Sequence, residues 1–259
     1  MQLLSIITVC RNDAARLEKT ISSLNGFYGD QRFEHVVVDG ESVDETNMLV
    51  APLLKVTNFK FYSGRDSGIY DAMNRGVVFS KAPLLLFLNC GDTMIASPDE
   101  LFICLRPLVA GSVVGLDIAC FPVQQMGTSG CRTLAPGRLS LNKMPTSHQG
   151  MVFAKRFLLR NKYQSSYKIA GDYDVYLRAR RVGIVASDAS RPLVAVEVDG
   201  VASSNPFSAY REYLSIADRR LHGGAKLIVM LRIGIRALFV ITVKTILPRR
   251  WISALRGVY

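Results

Sequence analysis

The 259-residue sequence contains few cysteines, and their spacing fits no metal or disulfide framework. No C-x-x-C pair occurs among the five, which are Cys10, Cys90, Cys104, Cys120 and Cys131. An odd number at irregular spacing argues against both a disulfide scaffold and a zinc site. We therefore expect reduced thiols, as in a cytoplasmic protein.

The glycine-rich phosphate-binding patterns of several nucleotide enzymes are also missing. The G-x-G-x-x-G pattern of a dinucleotide-dependent dehydrogenase does not occur. A nucleotidyltransferase would carry a glycine-rich, basic loop after its first strand, where this chain has C-R-N-D at residues 10–13. The N-terminus has only a short apolar run with no basic segment before it, which predicts a strand rather than a signal peptide.

Positive charge is abundant by contrast. There are 32 Lys and Arg residues against 21 Asp and Glu, a net charge of +11, and 49% of the residues are hydrophobic. This composition predicts a folded protein with a polyanionic partner, which charge alone leaves open between nucleic acid, an anionic membrane and a phosphorylated substrate. The sequence contains no basic-aromatic pattern or nucleic-acid-binding motif, so we expect no nucleic-acid partner.

Apolar runs alternate with helical patterns through the first hundred residues. Strands are predicted at residues 3–9, 33–38, 59–62 and 84–88, and helices at 13–24, 44–54 and 69–79. This alternation predicts a mainly parallel sheet flanked by helices. Polar clusters at residues 8–12, 39–46, 63–66 and 89–92 follow the four strands. Ligands bind beyond the carboxyl ends of such strands, so this edge is the predicted active site.

The second half is less regular. We expect a helix beginning at Ser97, with Ser97 as its N-cap, and then a strand at residues 113–118. A Gly/Ser/Pro-rich loop is predicted at 127–145, a short strand at 151–153, and a helix at 171–181.

Four acidic side chains and one histidine are candidates for chemistry. Asp39, at a strand end, could bind a base or ribose, although neighbouring Asp and Ser residues also suit a helix cap. Asp92 could bind Mg²⁺ or Mn²⁺ together with phosphate oxygens, unless residues 91–92 are an ordinary turn. Asp172 and Asp174 lie at a helix start, where one could satisfy the helix terminus and the other act as a general base. His148 is a competing candidate.

The C-terminal segment differs from the rest. Residues 226–247 are strongly apolar but include Lys226, Arg232, Arg236 and Lys244, which fall within about a third of a helix circumference. A helix lying in the membrane interface fits this pattern better than a spanning one. Residues 249–251, R-R-W, suit anionic headgroups. The alternative is a helix that packs on its own domain or on a second subunit.

Six segments together resemble the family 2 glycosyltransferases with the GT-A fold, in particular the bacterial enzymes that build exopolysaccharides of the colanic acid type. The segments are residues 5–12, 36–42, 67–76, 87–92, 145–150 and 167–174. The resemblance runs from residue 1 to about 205 in order and spacing. It implies a Rossmann-like α/β domain with a mixed, mainly parallel sheet, divided into a nucleotide-sugar-binding half (1–95) and an acceptor half (96–205). The amphipathic tail (206–259) follows.

The resemblance also implies a role for each matching residue. Asp172 corresponds to the catalytic base, Asp92 to the last carboxylate of the D-x-D-type metal motif, and His148 and Gln149 to the acceptor side. The donor-binding residues it implies are Thr8, Arg11, Asn12, Asp39, Arg65, Asp66, Asn74 and Arg75. Two departures stand out: residues 89–92 offer a single carboxylate, and Gly171 stands where many relatives carry Glu.

The implied reaction is a metal-dependent, hexosyltransferase-type transfer with inversion. A sugar would pass from a UDP- or GDP-sugar to a saccharide or polyprenyl-linked acceptor in surface polysaccharide synthesis, with Mn²⁺ or Mg²⁺ as cofactor. The basic tail would hold the protein on the cytoplasmic face of the membrane. A catalytically degenerate, membrane-associated scaffold or nucleotide-sugar-binding protein of the same fold is the alternative.

Overall fold

The structure, a computed structural model, describes residues 2–109, 116–127, 130–184, 192–197 and 205–246. The C-terminal residues 249–251 and the first half of the strand predicted at 113–118 lie outside these ranges. The strands are β1 (Leu4–Cys10), β2 (Phe33–Asp39), β3 (Phe59–Ser63), β4 (Leu84–Phe87), β5 (Thr93–Met94), β6 (Ile118–Cys120), β7 (Val123–Gly127), β8 (Gly130–Leu134), β9 (Met151–Ala154), β10 (Val182–Ile184) and β11 (Val194–Glu197). The helices are α1 (Ala14–Ser23), α2 (Thr46–Val50), α3 (Ile69–Phe79), α4 (Pro98–Val109), α5 (Lys155–Arg160), α6 (Gly171–Arg178), α7 (Pro206–Arg220) and α8 (Gly223–Ile246).

The seven-stranded main sheet has the order β10-β6-β9-β4-β1-β2-β3. Strands β4, β1, β2 and β3 are parallel, and β9 runs antiparallel between β4 and β6. The predicted mixed, mainly parallel sheet flanked by helices is therefore confirmed. Its parallel half is buried on both faces, which is why these strands are continuous apolar runs.

A second sheet, of order β5-β11-β7-β8, was not foreseen. Strand β8 pairs antiparallel with β7 inside the segment predicted to be a loop at 127–145, so that prediction was wrong for residues 130–134. Most of β8 is exposed, so it lacks the alternation of buried and exposed side chains that identifies a strand.

Helix α2 is shorter than its predicted span of 44–54. After Val50 the chain continues as a 3-10 turn from Ala51 to Lys55 that contains Pro52 near its start. Proline has no backbone N–H to donate and its ring crowds the preceding turn, so the α-helix ends there.

The C-terminal helices pack on the same core as the sheet. Ile216 and Ala217 of α7, with Val229 and Ile233 of α8, join the buried cluster that contains Ile7 of β1. Residues on both sides of the predicted boundary at residue 205 thus belong to one hydrophobic core. In the described part of the chain, no helix is long and apolar enough to cross a membrane.

Helix α8 presents its faces differently from the sequence expectation. Lys226 forms a 2.8 Å ion pair with Asp218 of α7, and the buried residues Val229 and Ile233 lie on this same side. The opposite side carries large apolar residues that are between 54% and 71% exposed, namely Leu227, Ile228, Leu231, Ile235 and Leu238. The side of the helix turned to solvent is therefore mainly apolar.

Candidate active site

The turns after β1, β2 and β3 converge at the carboxyl edge of the main sheet. A Cβ atom added to Gly40 would lie 2.6 Å from Oδ2 of Asp66 and 3.2 Å from Cδ of Arg11. This close approach needs a residue without a side chain at position 40. The structure thus brings Arg11 and Asp66, predicted from separate segments, to one place.

Asp39 lies at the end of β2 and is fully buried. Its Oδ2 accepts hydrogen bonds from the Ser42 backbone N–H at 3.0 Å and from the Ser63 hydroxyl at 2.7 Å, and the Ser42 hydroxyl donates to Oδ1. The carboxylate therefore ties the turn after β2 to the end of β3. In this arrangement its oxygens face the protein rather than the open edge.

Of the two predicted donor-binding residues near the end of β1, Thr8 is buried and Asn12 is exposed. The Thr8 hydroxyl is buried, 3.1 Å from Nε2 of His35, so this side chain lies inside the sheet. Asn12 is exposed, has a left-handed φ of 52°, and accepts the Val43 N–H at 2.8 Å. Asn12 is thus at the edge and Thr8 beneath it.

The segment between β3 and α3, together with α3 itself, contributes the other predicted donor-binding residues. Arg65 is exposed. Arg75 pairs with Asp71 at 3.2 Å and donates to the Gly64 carbonyl at 3.3 Å, which holds it beside that segment. Asn74 instead exchanges two hydrogen bonds, of 2.8 and 2.9 Å, with the backbone of Tyr163. Its amide secures the chain before α6.

Asp92 closes the turn after β4 and is 4% exposed. Its Oδ2 accepts the Gln149 side-chain N–H at 2.8 Å, and its Oδ1 accepts the Glu197 backbone N–H at 3.1 Å. Burial raises the pKa of this carboxyl, and the two hydrogen bonds oppose the rise. The carboxylate joins the turn to the 3-10 turn His148–Gly150 and to β11.

The oxygen atoms around this turn decide whether a cation fits. Among the described residues no group of three or more His, Cys, Asp or Glu side chains could hold a metal ion. Near Asp92, however, the Oδ1 atom of Asn89 is buried and has no hydrogen-bond partner in the described part of the chain. One carboxylate and one amide oxygen suit Mg²⁺ or Mn²⁺ when phosphate oxygens complete the coordination shell.

Asp172 lies in the first turn of α6, facing His148. The distance from its Oδ2 to Nδ1 of His148 is 3.5 Å, and the two side chains are 12% and 17% exposed. Nε2 of His148 lies 3.0 Å from the Asn89 amide nitrogen. With that amide donating to Nε2, the imidazole proton sits on Nδ1, towards Asp172. The row Asn89–His148–Asp172 connects the β4 turn to α6.

The sequence left open whether Asp172 or Asp174 supports the start of α6, and which of the two is free to react. Asp174 is fully buried and pairs with Arg178 at 2.9 Å and with Arg220 at 2.7 Å. Within the described ranges, Asp172 accepts only the N–H of Tyr173, at 2.9 Å, besides facing His148. Asp172 is therefore the carboxylate that a substrate can reach.

Tyr70 explains the glycine at position 171. A Cβ atom on Gly171 would lie 2.7 Å from the Tyr70 ring, and the Gly171 N–H donates to the Tyr70 hydroxyl at 2.8 Å. The glutamate that the resemblance leads one to expect here would need Tyr70 to move, because its Cβ would meet the Tyr70 ring. Tyr70 lies within the segment 67–76 that carries the resemblance, yet sequence reasoning gave it no role.

The chain is similar to known glycosyltransferases. The family model described as glycosyl transferase family 2 matches residues 5–123. An uncharacterized glycosyltransferase of Mycobacterium tuberculosis (strain H37Rv) is 30% identical over 193 residues, which cover 69% of this chain and 69% of the relative. A PGL/p-HBAD biosynthesis glycosyltransferase of Mycobacterium bovis (strain BCG) is 40% identical over 96 residues, 36% of each chain.

Solved structures show the same fold. Residues 1–349 of S. aureus TarS in complex with UDP-GlcNAc superpose with a TM-score of 0.69 at 17% identity, covering 90% of this chain and 71% of that 1–349 chain. The mannosyltransferase PcManGT of Pyrobaculum calidifontis, in complex with GDP-Man and Mn²⁺, gives a TM-score of 0.62 at 14% identity, over 90% of this chain and 69% of that one.

Proposed function

Because this chain belongs to glycosyltransferase family 2, we propose that it transfers a hexose from a UDP- or GDP-sugar to a hydroxyl of a saccharide or lipid-linked saccharide, with inversion at the anomeric carbon. The observation that carries the proposal is the 3.5 Å approach of His148 to Asp172, with the β4 turn on the other side of His148. A base and a turn suited to a phosphate-bound cation thus lie on either side of one imidazole. In a sugar transfer the base must reach the acceptor hydroxyl and the cation must reach the donor phosphate, so the two sites have to lie close together.

The reaction is a single displacement. The acceptor oxygen attacks the anomeric carbon while its proton passes to a carboxylate oxygen of Asp172. The bond between the anomeric carbon and the phosphate oxygen breaks, and the nucleoside diphosphate leaves with the electron pair. A Mn²⁺ or Mg²⁺ ion held by Asp92 and Asn89 would neutralise the charge that develops on the diphosphate.

The donor-binding residues are proposed on the same basis. Arg11, Asn12, Arg65, Asp66 and Arg75 lie around the turns after β1 and β3, where their cationic and polar groups would meet the nucleotide. The remaining three would support these residues from below rather than contact the nucleotide. Thr8 and Asp39 hold the ends of the strands and their turns, and Asn74 holds the chain at Tyr163. The nucleotide sugars bound by TarS and PcManGT support a UDP- or GDP-sugar donor.

The test is nucleoside diphosphate release from a panel of UDP-, GDP- and dTDP-sugars with Mn²⁺ or Mg²⁺, with bacterial membrane extract supplying acceptors. We expect metal-dependent turnover of one donor by the wild type and its loss in Asp172→Asn. The control Asp218→Asn makes the same acid-to-amide change on α7, where the carboxylate contacts Lys226, and should retain turnover. A folded protein that binds and turns over no donor would instead support the scaffold alternative.

We further propose that α8 binds the anionic cytoplasmic face of the membrane and brings the site to a polyprenyl-linked acceptor of surface polysaccharide synthesis. The exposed stripe Leu227, Ile228, Leu231, Ile235 and Leu238 would enter the interface. The exposed Arg232 and Arg236 border this stripe, and the whole chain carries a net charge of +11. An apolar face bordered by cations suits an anionic bilayer better than a second copy of a chain with the same charge.

Co-sedimentation with vesicles of phosphatidylglycerol or of phosphatidylcholine tests this proposal. The wild type should bind the anionic vesicles, and Leu231→Glu/Leu238→Glu should not. Leu54→Glu, at another exposed leucine, is the matched control and should bind like the wild type. If the wild type binds no vesicles but forms a dimer in sedimentation velocity, and Leu231→Glu/Leu238→Glu is monomeric, then α8 contacts a second copy instead.

A further inference from the structure

The catalytic segment receives its support from a helix far along the chain. Helix α6 begins after Ala170, which makes no side-chain capping bond. The backbone N–H groups just before the helix need other acceptors, because helix starts leave such donors unpaired. These acceptors come from α7 and α3.

Glu212 of α7 supplies three of the bonds. Its Oε1 accepts the Lys168 N–H at 2.9 Å, and its Oε2 accepts the N–H groups of Ile169 at 3.0 Å and Ala170 at 2.8 Å. A carboxylate that accepts several backbone N–H groups forms charge-assisted bonds, which are roughly twice as strong as neutral ones. The three consecutive peptides are therefore held on a single side chain.

The next peptide is held from the other side. The Gly171 N–H donates to the Tyr70 hydroxyl at 2.8 Å, and the Tyr70 ring stacks on Tyr163 with a centroid distance of 5.3 Å. Four successive N–H groups, at residues 168–171, thus end on two side chains that are distant in sequence. Asp172 is the very next residue.

The same α7 helix also fixes the chain after Asp172. Arg220 donates to both carboxylate oxygens of Asp174, at 2.7 and 3.3 Å. The bonds to Asp174 raise the pKa of the Arg220 guanidinium. Glu212 therefore holds the backbone just before Asp172, and Arg220 holds the Asp174 side chain just after it.

We propose that Glu212 is a positioning residue for Asp172, setting the direction in which its carboxylate meets the acceptor hydroxyl. The inference rests on the proposed function, because it assigns the base role to Asp172. It gives one residue of α7 a role in positioning the base, although this helix lies beyond the residues that the family model matches. Loss of the bonds from Glu212 would let residues 168–170 move and would misalign the base.

The test compares Glu212→Gln with the wild type and with Asp218→Asn. The amide can accept from only one side, so amides 168–170 should exchange hydrogen faster in Glu212→Gln. We expect its kcat to fall about 10- to 100-fold, the range that misplacement of a reacting group produces. The dissociation constant for UDP or GDP should stay unchanged, since the donor residues lie on other elements. Asp218→Asn should match the wild type in all three measurements.

A kcat equal to that of the wild type, with faster exchange, would overturn the positioning role. Equal losses of kcat and nucleotide affinity, with a lowered melting temperature, would overturn it too, since they would show general structural support. If Glu212→Gln does not fold, Tyr70→Phe removes the acceptor for the Gly171 N–H and should show the same split between kcat and nucleotide affinity. A wild type that turns over no donor sugar would refute the proposed function itself, a result separate from either outcome.

Discussion

The Nδ1 atom of His148 lies 3.5 Å from the Oδ2 atom of Asp172, although the two residues are 24 positions apart and belong to different elements. The antiparallel strand β9 brings His148 to the sheet edge, and α7 holds the start of α6 against it. The pairing gives the carboxylate a neighbour that fixes its direction. Substitution of each residue in turn measures how much the pairing contributes to kcat.

Replacement of Asp172 by Asn should lower kcat by about 10²- to 10⁴-fold, because general-base catalysis contributes that much. His148→Ala should lower kcat less, by about 10- to 100-fold, since the base remains but loses its alignment. Nucleotide affinity should change in neither variant, as measured by calorimetry with UDP or GDP. An Asp172→Asn enzyme that keeps most of its activity would exclude Asp172 as the base.

Asp92 and Gln149 should affect metal binding in different ways. Asp92→Asn removes the charged ligand and should raise the dissociation constant for Mn²⁺ at least about 10-fold, a loss comparable to that from removing supporting residues at metal sites. Gln149→Ala frees Oδ2 of Asp92 from its 2.8 Å hydrogen bond, so Mn²⁺ should bind equally well or more tightly. Electron paramagnetic resonance of Mn²⁺ with UDP measures both, with protein-free Mn²⁺–UDP as the blank. Equal weakening in the two variants would contradict a direct role for Asp92.

Gly171→Ala should destabilise the protein by about 1–3 kcal/mol, because overpacking in a filled site has that cost. The added Cβ would lie 2.7 Å from the Tyr70 ring. Gly234→Ala in α8 is the control: none of the residues that the structure describes lies within 4 Å of its added Cβ, and alanine favours a helix by about 0.5–1 kcal/mol. Urea unfolding measures both, and a Gly171→Ala protein as stable as the wild type would show that Tyr70 can move aside.

The sequence patterns were sufficient to predict the parallel half of the sheet and the polar turns at its carboxyl edge. Strands β1, β2 and β4 are apolar because both faces are covered, and each ends in a polar turn. Their register then placed Arg11 and Asp66 together without further information. The second sheet escaped prediction because the exposed strand β8 has no periodic apolar pattern.

The residues of α7 that hold the site in place could not be predicted from the sequence, for a different reason. Glu212 and Arg220 lie about 40 residues after the peptides and carboxylate they bind, and acidic and basic residues on a helix usually face solvent. Only the packing of α7 on the core turns these two side chains inward. Nor could the cation pattern of α8 reveal that Lys226 pairs with Asp218 and leaves the apolar side outward.

Stability should fall in mild acid because of His35. Burial lowers the pKa of His35 to about 3 in the folded protein, where it contacts Thr8 and Tyr28. The unfolded chain binds this proton below about pH 6.5, whereas the folded protein does not, so stability is lost as the pH falls. The loss is about 1.4 kcal/mol per pH unit between pH 6.5 and 3. Between pH 6.5 and 5, His35→Gln should therefore lose about 2 kcal/mol less than the wild type in urea unfolding, and parallel curves would contradict this.

The stereochemistry of sugar transfer tests the central claim most directly. Once the panel identifies the donor, proton NMR at early times reports the anomeric configuration of the transferred sugar, or of the sugar released to water. A single displacement assisted by Asp172 predicts inversion, so an α-linked donor must give a β product. An α product would require a second displacement or a different mechanism, and would contradict the role proposed for Asp172.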